Sequence, residues 1–391
     1  MGIASNTLSV TFNQFFESEK SSGILLIFCT VLSIVITNSP MGMVYLGFWH
    51  RNLGGLSIEQ WVNDAFMAIF FLLIGLELER ELYIGELSNI KNALLPMVAA
   101  IGGMGAPALI HLSLNHGTPT QTGIGIPMAT DIAFALGGLA MLGKRAPASL
   151  KVFVVAFAVI DDLGAIVIIA VLYTAQLSAG YLLSALVVWS VLFALNRMYR
   201  VMSLIPYLLG GALMWFLMLK SGVHATIAGV MLAFAIPFSA KVDDQTSPSF
   251  RLEHCLHKPV AFIILPIFAL ANTGIFIDEA WLQNVSNTNS LGIIAGLVVG
   301  KPLGVTVLCL ATVASGICQL PSDLKWPHIV GAGMLGGIGF TMSIFITHLA
   351  YSGNPQTINA SKIAILLASL TAGILGFLWL RFVAKSTADL N

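Results

Sequence analysis

Apolar residues in this chain do not alternate with polar ones. They run on for about twenty positions at a time, the length a helix needs to cross the hydrocarbon of a bilayer. Such runs recur near 21–39, 61–84, 93–114, 121–143, 150–174, 181–199, 201–219, 222–238, 257–275, 290–314, 328–350 and 360–383. The pattern predicts an all-α polytopic membrane protein with twelve transmembrane helices and both termini on one side. The longest stretches between runs are about 40–60 and 239–256, too short for a separate soluble domain, so residues 1–391 are expected to form a single transmembrane domain. The first of these stretches holds Gly54-Gly55 and alternates weakly at Val44, Leu46 and Phe48, which reads as a short outer hairpin.

Two runs are interrupted. The fourth, GIGIPMATDIAFALGGLAML, carries Pro127, Thr130 and Asp131 in its middle. The eleventh, IVGAGMLGGIGFTMSIFITH, sets Gly331, Gly333, Gly336, Gly337 and Gly339 ahead of Thr341. Proline and clustered glycine weaken a helix interior. Freed backbone groups persist at membrane depth only where they are buried in protein or line a cavity. Paired broken spans in the two halves of a chain are a pointer to a transporter's binding site, although small residues also serve close helix packing.

Composition strengthens the membrane reading. Hydrophobic residues make up 57% of the chain and charged residues 9%, against roughly 25% charged in soluble domains. Net charge is +0, which argues against nucleic acid as a partner because duplex binding needs a concentrated basic face. With cytoplasmic termini, every basic residue except Arg51, Lys220, Lys362 and Lys301 falls on the inner side, including Lys20, Lys91, Lys144, Arg145, Lys151 and Lys385. That asymmetry is the one the positive-inside rule describes. Cys29, Cys255, Cys309 and Cys318 form no C-x-x-C pair and read as small apolar residues rather than a disulfide framework or zinc site. Lys20 is the only basic residue before the first run, and no small-x-small cleavage site follows it, so the run reads as a retained span. Nothing in the sequence implies a cofactor.

Charge inside the apolar runs carries the chemistry. Asp161 and Asp162 sit at the centre of the fifth run, Asp131 within the fourth, and Lys301, followed by Pro302, near the middle of the tenth. An ionised group at the bilayer centre costs about 2.5–3.5 kcal/mol on insertion scales. One structural Asp–Lys pair does not account for two adjacent acids plus a third. Small hard cations such as Na⁺ take carboxylate, carbonyl, hydroxyl and water oxygens, which Asp161, Asp162 and Thr130 offer. Two neighbouring carboxylates in a low dielectric cannot both stay ionised cheaply, so such a site holds either protons or a cation. Competition of that kind is sufficient for antiport. Lys301 can neutralise an aspartate when the cation is absent, or balance negative half-helix ends as Asp131 can balance positive ones.

A second polar cluster lies at the inner edge. Glu77, Glu79, Arg80 and Glu81 close the second run, and Arg251, Glu253, His254 and His257 open the ninth. Acids mixed with histidines can sense pH, since histidine titrates between about pH 5 and 8. Ordinary charged caps at an interface account for the same residues. His224 starts the eighth run at the outer side and reads as an interfacial residue.

The strings WVNDAFMAIFFLLIGLELEREL, AAIGG, ATDIAFALG, AVIDDLGAI, LKSGVHATIAGV, RLEHCLH, GKPLG and GGIGFTMSIFI resemble the NhaA family of bacterial sodium/proton antiporters, in order and over nearly the whole chain. The resemblance implies inverted repeats built from spans three to five and ten to twelve, with spans 4 and 11 interrupted and crossing at mid-membrane. It implies Asp162 as main cation ligand and proton carrier and Asp161 as second carboxylate. Lys301 becomes the partner of Asp161 in the sodium-free state, and Asp131 and Thr130 lie at the helix crossing. Glu77, Glu81, Glu253 and His254 match a cytoplasmic pH-sensing funnel, and His224 a histidine tied to pH response. The family exports Na⁺ or Li⁺ in exchange for H⁺, moves net charge, and works as a homodimer among the lipids of the bacterial inner membrane. The outer 40–60 segment would be the dimer contact, and it is where this chain chiefly departs from the family pattern.

Three other readings compete. Sodium-coupled organic-anion symport needs more basic groups at mid-depth than Lys301. An intramembrane aspartyl protease, the enzymatic reading, needs two facing carboxyls, commonly in a GxGD string that is absent here; Asp131 and Asp162 remain a possible facing pair. A passive channel calls for a carbonyl filter such as TVGYG, also absent. A transporter rather than an enzyme is the expectation.

Overall fold

The computed structural model describes residues 21–383 apart from 175–176, 242–244, 278 and 280, without the side chains of Lys91 and Lys144. Lys20 and Lys385, used above for orientation, lie outside the described residues.

The chain begins with α1 (Ser21–Thr37) and α2 (Gly42–Trp49), set at 119° to each other. A two-residue antiparallel hairpin follows, pairing Asn52 with Ser57 and Leu53 with Leu56. Its turn is Gly54-Gly55, at φ 65° and 95°, the positive values that a tight hairpin turn demands and glycine adopts without strain. The expected hairpin is therefore displaced: Val44, Leu46 and Phe48 lie in α2, because a segment apolar at nearly every position has no preferred face and its alternation carries no strand signal.

The remaining elements are helices. α3 (Ile58–Tyr83) starts from a Ser57–Gln60 capping box and contains a π-turn at Val62–Phe66. α4 (Ile90–Asn115) leads into a 3₁₀ segment, Gln121–Met128, then extended residues 129–131 and α5 (Ile132–Leu142). α6 (Ala148–Leu172) and α7 (Ala179–Arg197) precede the shorter apolar α8 (Ile205–Ser221) and the seven-residue α9 (Ile227–Ala233). α10 (Pro248–Asn272) and the short α11 (Trp281–Ser286) come next, then α12 (Thr288–Ala314), with a π-turn at Gly296–Gly300 just before Lys301. α13 (Trp326–Gly336) and α14 (Phe340–Ala350) form a pair bent by 47°, and α15 (Pro355–Phe382) ends the described chain.

Among the described residues, eight helices are long and apolar enough to cross a bilayer, or up to ten when each bent pair is one span. The protein is thus an all-α, multi-pass membrane protein. The run at 222–238 gives only the short α9. Gly222 ends α8 in the left-handed conformation at φ 85°, and Pro237, which lacks an N–H, lies beyond the helix. Ile24, Phe28, Val187, Val191 and Leu209 are exposed, as helix faces turned to hydrocarbon are.

The chain divides into two compact units. The first takes the described residues of Met1–Val31 with Lys91–Asp162 and Ile275–Asn391; the second takes Leu32–Ile90 and Leu163–Gly274. Within the first unit, α4 and α12 meet backbone to backbone at Gly102 and Gly304, where a methyl group on either would overlap the other's carbonyl oxygen. Within the second, α3 packs on α9 through Gly229, which lies against Ala68, and Leu72, Leu76, Tyr207, Met214 and Leu232 share its core.

Candidate functional site

The first unit holds the two interrupted runs, and their breaks are bonded to each other. Gly339 precedes α14 as its N-cap, and residues 337–339 separate α14 from α13. The Asp131 N–H donates to the Ile338 carbonyl at 2.6 Å. The Asp131 carboxylate serves the starts of two helices. Its Oδ1 accepts from Phe134 N–H of α5 at 3.3 Å. Its Oδ2 accepts from the Thr341 N–H at 3.1 Å and the Thr341 hydroxyl at 2.5 Å, in the first turn of α14. The first N–H groups of any helix lack intrahelical partners and carry partial positive charge. One carboxylate here meets that need for two helices.

The opposite ends are matched by donors. Met128 ends the 3₁₀ segment, and its carbonyl accepts from the Lys301 ammonium. Gly336 ends α13, and its carbonyl lies 2.9 Å from the Thr130 hydroxyl. The same hydroxyl is 2.6 Å from Asp161 Oδ2, so one hydrogen serves two acceptors. Lys301 Nζ is also 2.6 Å from Asp161 Oδ2.

Asp161 and Lys301 are each 0% exposed. At that burial an ion pair exists only because both charges are matched, and removing one partner costs about 3–5 kcal/mol. The pair engages one carboxylate oxygen only. Asp161 Oδ1 is buried with no hydrogen-bond partner among the described residues. Asp162, next along α6 and turned about 100° from Asp161, is 1% exposed. A buried carboxylate oxygen without a donor is costly, and a proton or a small hard cation is among the groups whose chemistry would satisfy it.

The structure therefore brings together Thr130, Asp161 and Lys301 directly, with Asp162 adjacent and Asp131 joining the two breaks. Thr341 and the carbonyls of Met128 and Gly336 complete the arrangement. The broken fourth run was expected to add backbone carbonyls, without Met128 being singled out. Thr341 and the Gly336 carbonyl were given no place in the site; the signal for Thr341 was its position just after the glycine cluster.

The second unit holds the other polar residues. Arg80 and Glu253 form an ion pair at 2.6 Å, their side chains 42% and 10% exposed. Glu77 is half-buried. Glu81 accepts from Glu86 N–H at 3.1 Å. His254 is exposed and stacks on Phe250, one turn earlier on α10. Glu79 is buried, and its Oε2 has no hydrogen-bond partner among the described residues. His224 Nε2 lies 3.4 Å from Asp64 Oδ1, and its Nδ1 is 2.7 Å from the Thr226 hydroxyl. Asp64 was overlooked in the sequence although it is a charge in an apolar run, because it lies close to the expected end of that run.

Comparison with known proteins gives this geometry a context. Residues 13–380 match the family described as Na⁺/H⁺ antiporter 1. The chain is 71% identical to the Na⁺/H⁺ antiporter NhaA of Dechloromonas aromatica, covering 97% of each chain. It is 58% identical to the Na⁺/H⁺ antiporter NhaA 1 of Flavobacterium johnsoniae, covering 98% of this chain and 99% of that one. It is 48% identical to the Na⁺/H⁺ antiporter NhaA of Vibrio parahaemolyticus, covering 96% of this chain and 98% of the relative. A match that runs from the first described helix to the last, with the acids and the lysine of the site inside it, leaves no other assignment: the chain belongs to the Na⁺/H⁺ antiporter 1 family.

Proposed function

We propose that this protein exports Na⁺, and Li⁺, in exchange for protons by alternating access, moving net charge and responding to pH. The observation that carries the reading is the Asp161 carboxylate, wholly buried where the two broken helices meet, with one oxygen bound by Lys301 and Thr130 and the other without a hydrogen-bond donor among the described residues. Relatives named Na⁺/H⁺ antiporter support the same exchange.

The chemistry follows from competition at one site. Without Na⁺, the Lys301 ammonium neutralises Asp161. An arriving Na⁺ takes oxygens from Asp161, Asp162 and the Thr130 hydroxyl, and the ammonium leaves the carboxylate. On the other face protons replace the ion, with Asp162 as the principal carrier. An empty, uncompensated carboxylate in a low dielectric is costly, so loaded forms cross and the empty charged form does not. Asp131, at the positive ends of α5 and α14, and Lys301, at the negative end of the 121–128 segment, keep the breaks in place. The occupied oxygens of Asp131 count against a proton-sharing pair of protease type.

The wider architecture belongs to the same proposal. Residues 1–391 act as one transport domain of twelve helices, with inverted repeats in spans three to five and ten to twelve and with spans 4 and 11 crossing. The gathering of residues 91–162 and 275–391 into one unit and the hydrogen bonds between the breaks support this. Glu77, Glu81, Glu253, His254 and His224 form the pH-responsive set. The protein resides among the lipids of the bacterial inner membrane with cytoplasmic termini, in keeping with its basic residues, and dimerises through the 40–60 segment.

The test is transport by purified protein in proteoliposomes enclosing a pH dye, with Na⁺, Li⁺ or K⁺ added across a pH range. Na⁺ collapses the proton gradient in the wild type and leaves it intact in Asp162→Asn. If Na⁺ moves no protons at any pH, the antiport reading fails.

A further inference from the structure

A lysine ammonium has three hydrogens to place, and Lys301 has nowhere outside the protein to place them, being 0% exposed. Two go to oxygens, Asp161 Oδ2 at 2.6 Å and the Met128 carbonyl. No third oxygen or nitrogen accepts from it among the described residues. What faces it instead is an aromatic ring: Lys301 Nζ stands over Phe157, 5.9 Å from the ring centroid. The ring lies one helical turn before Asp161, at i and i+4 on α6, hence on the same face. It is fully buried, and its edges are close to Gly103 of α4 and to Gly336 at the end of α13. Phe153, one turn earlier on α6, stacks parallel to it with centroids 6.3 Å apart. Two backbones without side chains and a second ring thus hold this ring where the ammonium meets its negative face.

We propose that Phe157 is the third partner of the Lys301 ammonium, a positioning residue that holds the charge in place while Asp161 is occupied by the transported cation. The proposal rests on the antiport reading above. When Na⁺ takes Asp161, the ammonium loses its strongest partner and keeps only the Met128 carbonyl and the ring. A face-on aromatic ring attracts a cation most where water is excluded, which is the setting here. The ring already lies over the ammonium while Asp161 is paired, and its hold tightens as the carboxylate is withdrawn; that differential hold stabilises the state in which Lys301 has released Asp161, and so favours Na⁺ entry. It does little for the later steps, during which the ammonium is already released.

The experiment compares wild type, Phe157→Leu, and protein in which Phe157 is replaced by phenylalanine carrying one, two or three ring fluorines. Fluorine withdraws charge from the ring face and nearly preserves its shape. Na⁺-driven proton movement in proteoliposomes gives KM for Na⁺ and maximal rate for each. Phe157→Leu should raise the Na⁺ KM about tenfold, with the maximal rate within about twofold of wild type. The fluorinated series should raise log KM in step with the number of fluorines, which a purely packing role would not do. A flat fluorinated series overturns the proposal even if Phe157→Leu fails to fold. So does an unchanged KM in a Phe157→Leu protein that elutes like wild type. A wild type that moves no protons with Na⁺ is a different result: it removes the antiport reading itself.

Discussion

Two ion pairs in this protein have the same length, 2.6 Å, in unlike surroundings. Lys301 and Asp161, in the first unit, are 0% exposed; Arg80, in the second, keeps 42% of its side chain exposed beside Glu253 at 10%. Distance alone would rank them equal. The medium separates them. Water and salt screen a partly exposed pair to about 0–1 kcal/mol, whereas a desolvated pair is locked, because parting it leaves a buried charge uncompensated. In the locked pair one carboxylate oxygen has no hydrogen-bond partner among the described residues, which is what the proposed exchange of one bound cation for another calls for. The screened pair shifts at little cost.

The comparison can be broken by substitution. The largest effect belongs to Asp162→Asn, which should reduce Na⁺-driven proton movement in proteoliposomes to the protein-free level while the protein still elutes as folded; residual exchange above that level would move the main carrier role elsewhere. Next comes the locked pair. Lys301→Met should cost about 3–5 kcal/mol of stability, and adding Asp161→Asn should recover most of it, read as thermal stability in detergent and analysed as a double-mutant cycle. Additive losses would mean the two charges are not coupled. Thr341→Val removes one of the donors on Asp131 and should cost about 1–2 kcal/mol in the same assay; no change would show that the backbone N–H suffices. Smallest is the Arg80→Gln and Glu253→Gln cycle. Its coupling should stay below about 1 kcal/mol and shrink as ionic strength rises. A coupling as large as that of Lys301 and Asp161 would erase the distinction between the two units.

Legibility in the sequence followed cost. Asp131, Asp161, Asp162 and Lys301 stood out because a charge in an apolar run is rare and must be compensated. The broken fourth and eleventh runs were visible through Pro127 and the glycines ahead of Thr341. The sequence could not show how the breaks are joined. That Asp131 caps α5 and α14 together, and that Thr130 reaches Gly336, depends on two segments some 200 positions apart in sequence meeting in space. Phe157 was invisible for a simpler reason: one apolar residue in an apolar helix has no signature until a cation is found above its ring. The alternation at Val44, Leu46 and Phe48 misled because a uniformly apolar stretch fits several periods.

The backbone contact of Gly102 and Gly304 sets a standard of length for the site. Lys301 lies one turn ahead of Gly304 on α12, so the reach of its ammonium is measured from that contact. A methyl group on either glycine would push the two helices apart and carry the base of the lysine with them, while Asp161 and Met128 stayed where they are. Misplacement of about 1 Å at a reacting group can cost on the order of a hundredfold in rate. Two positions that bear no charge and have no side chain at all therefore tolerate no added methyl group, because the placement of the lysine depends on them.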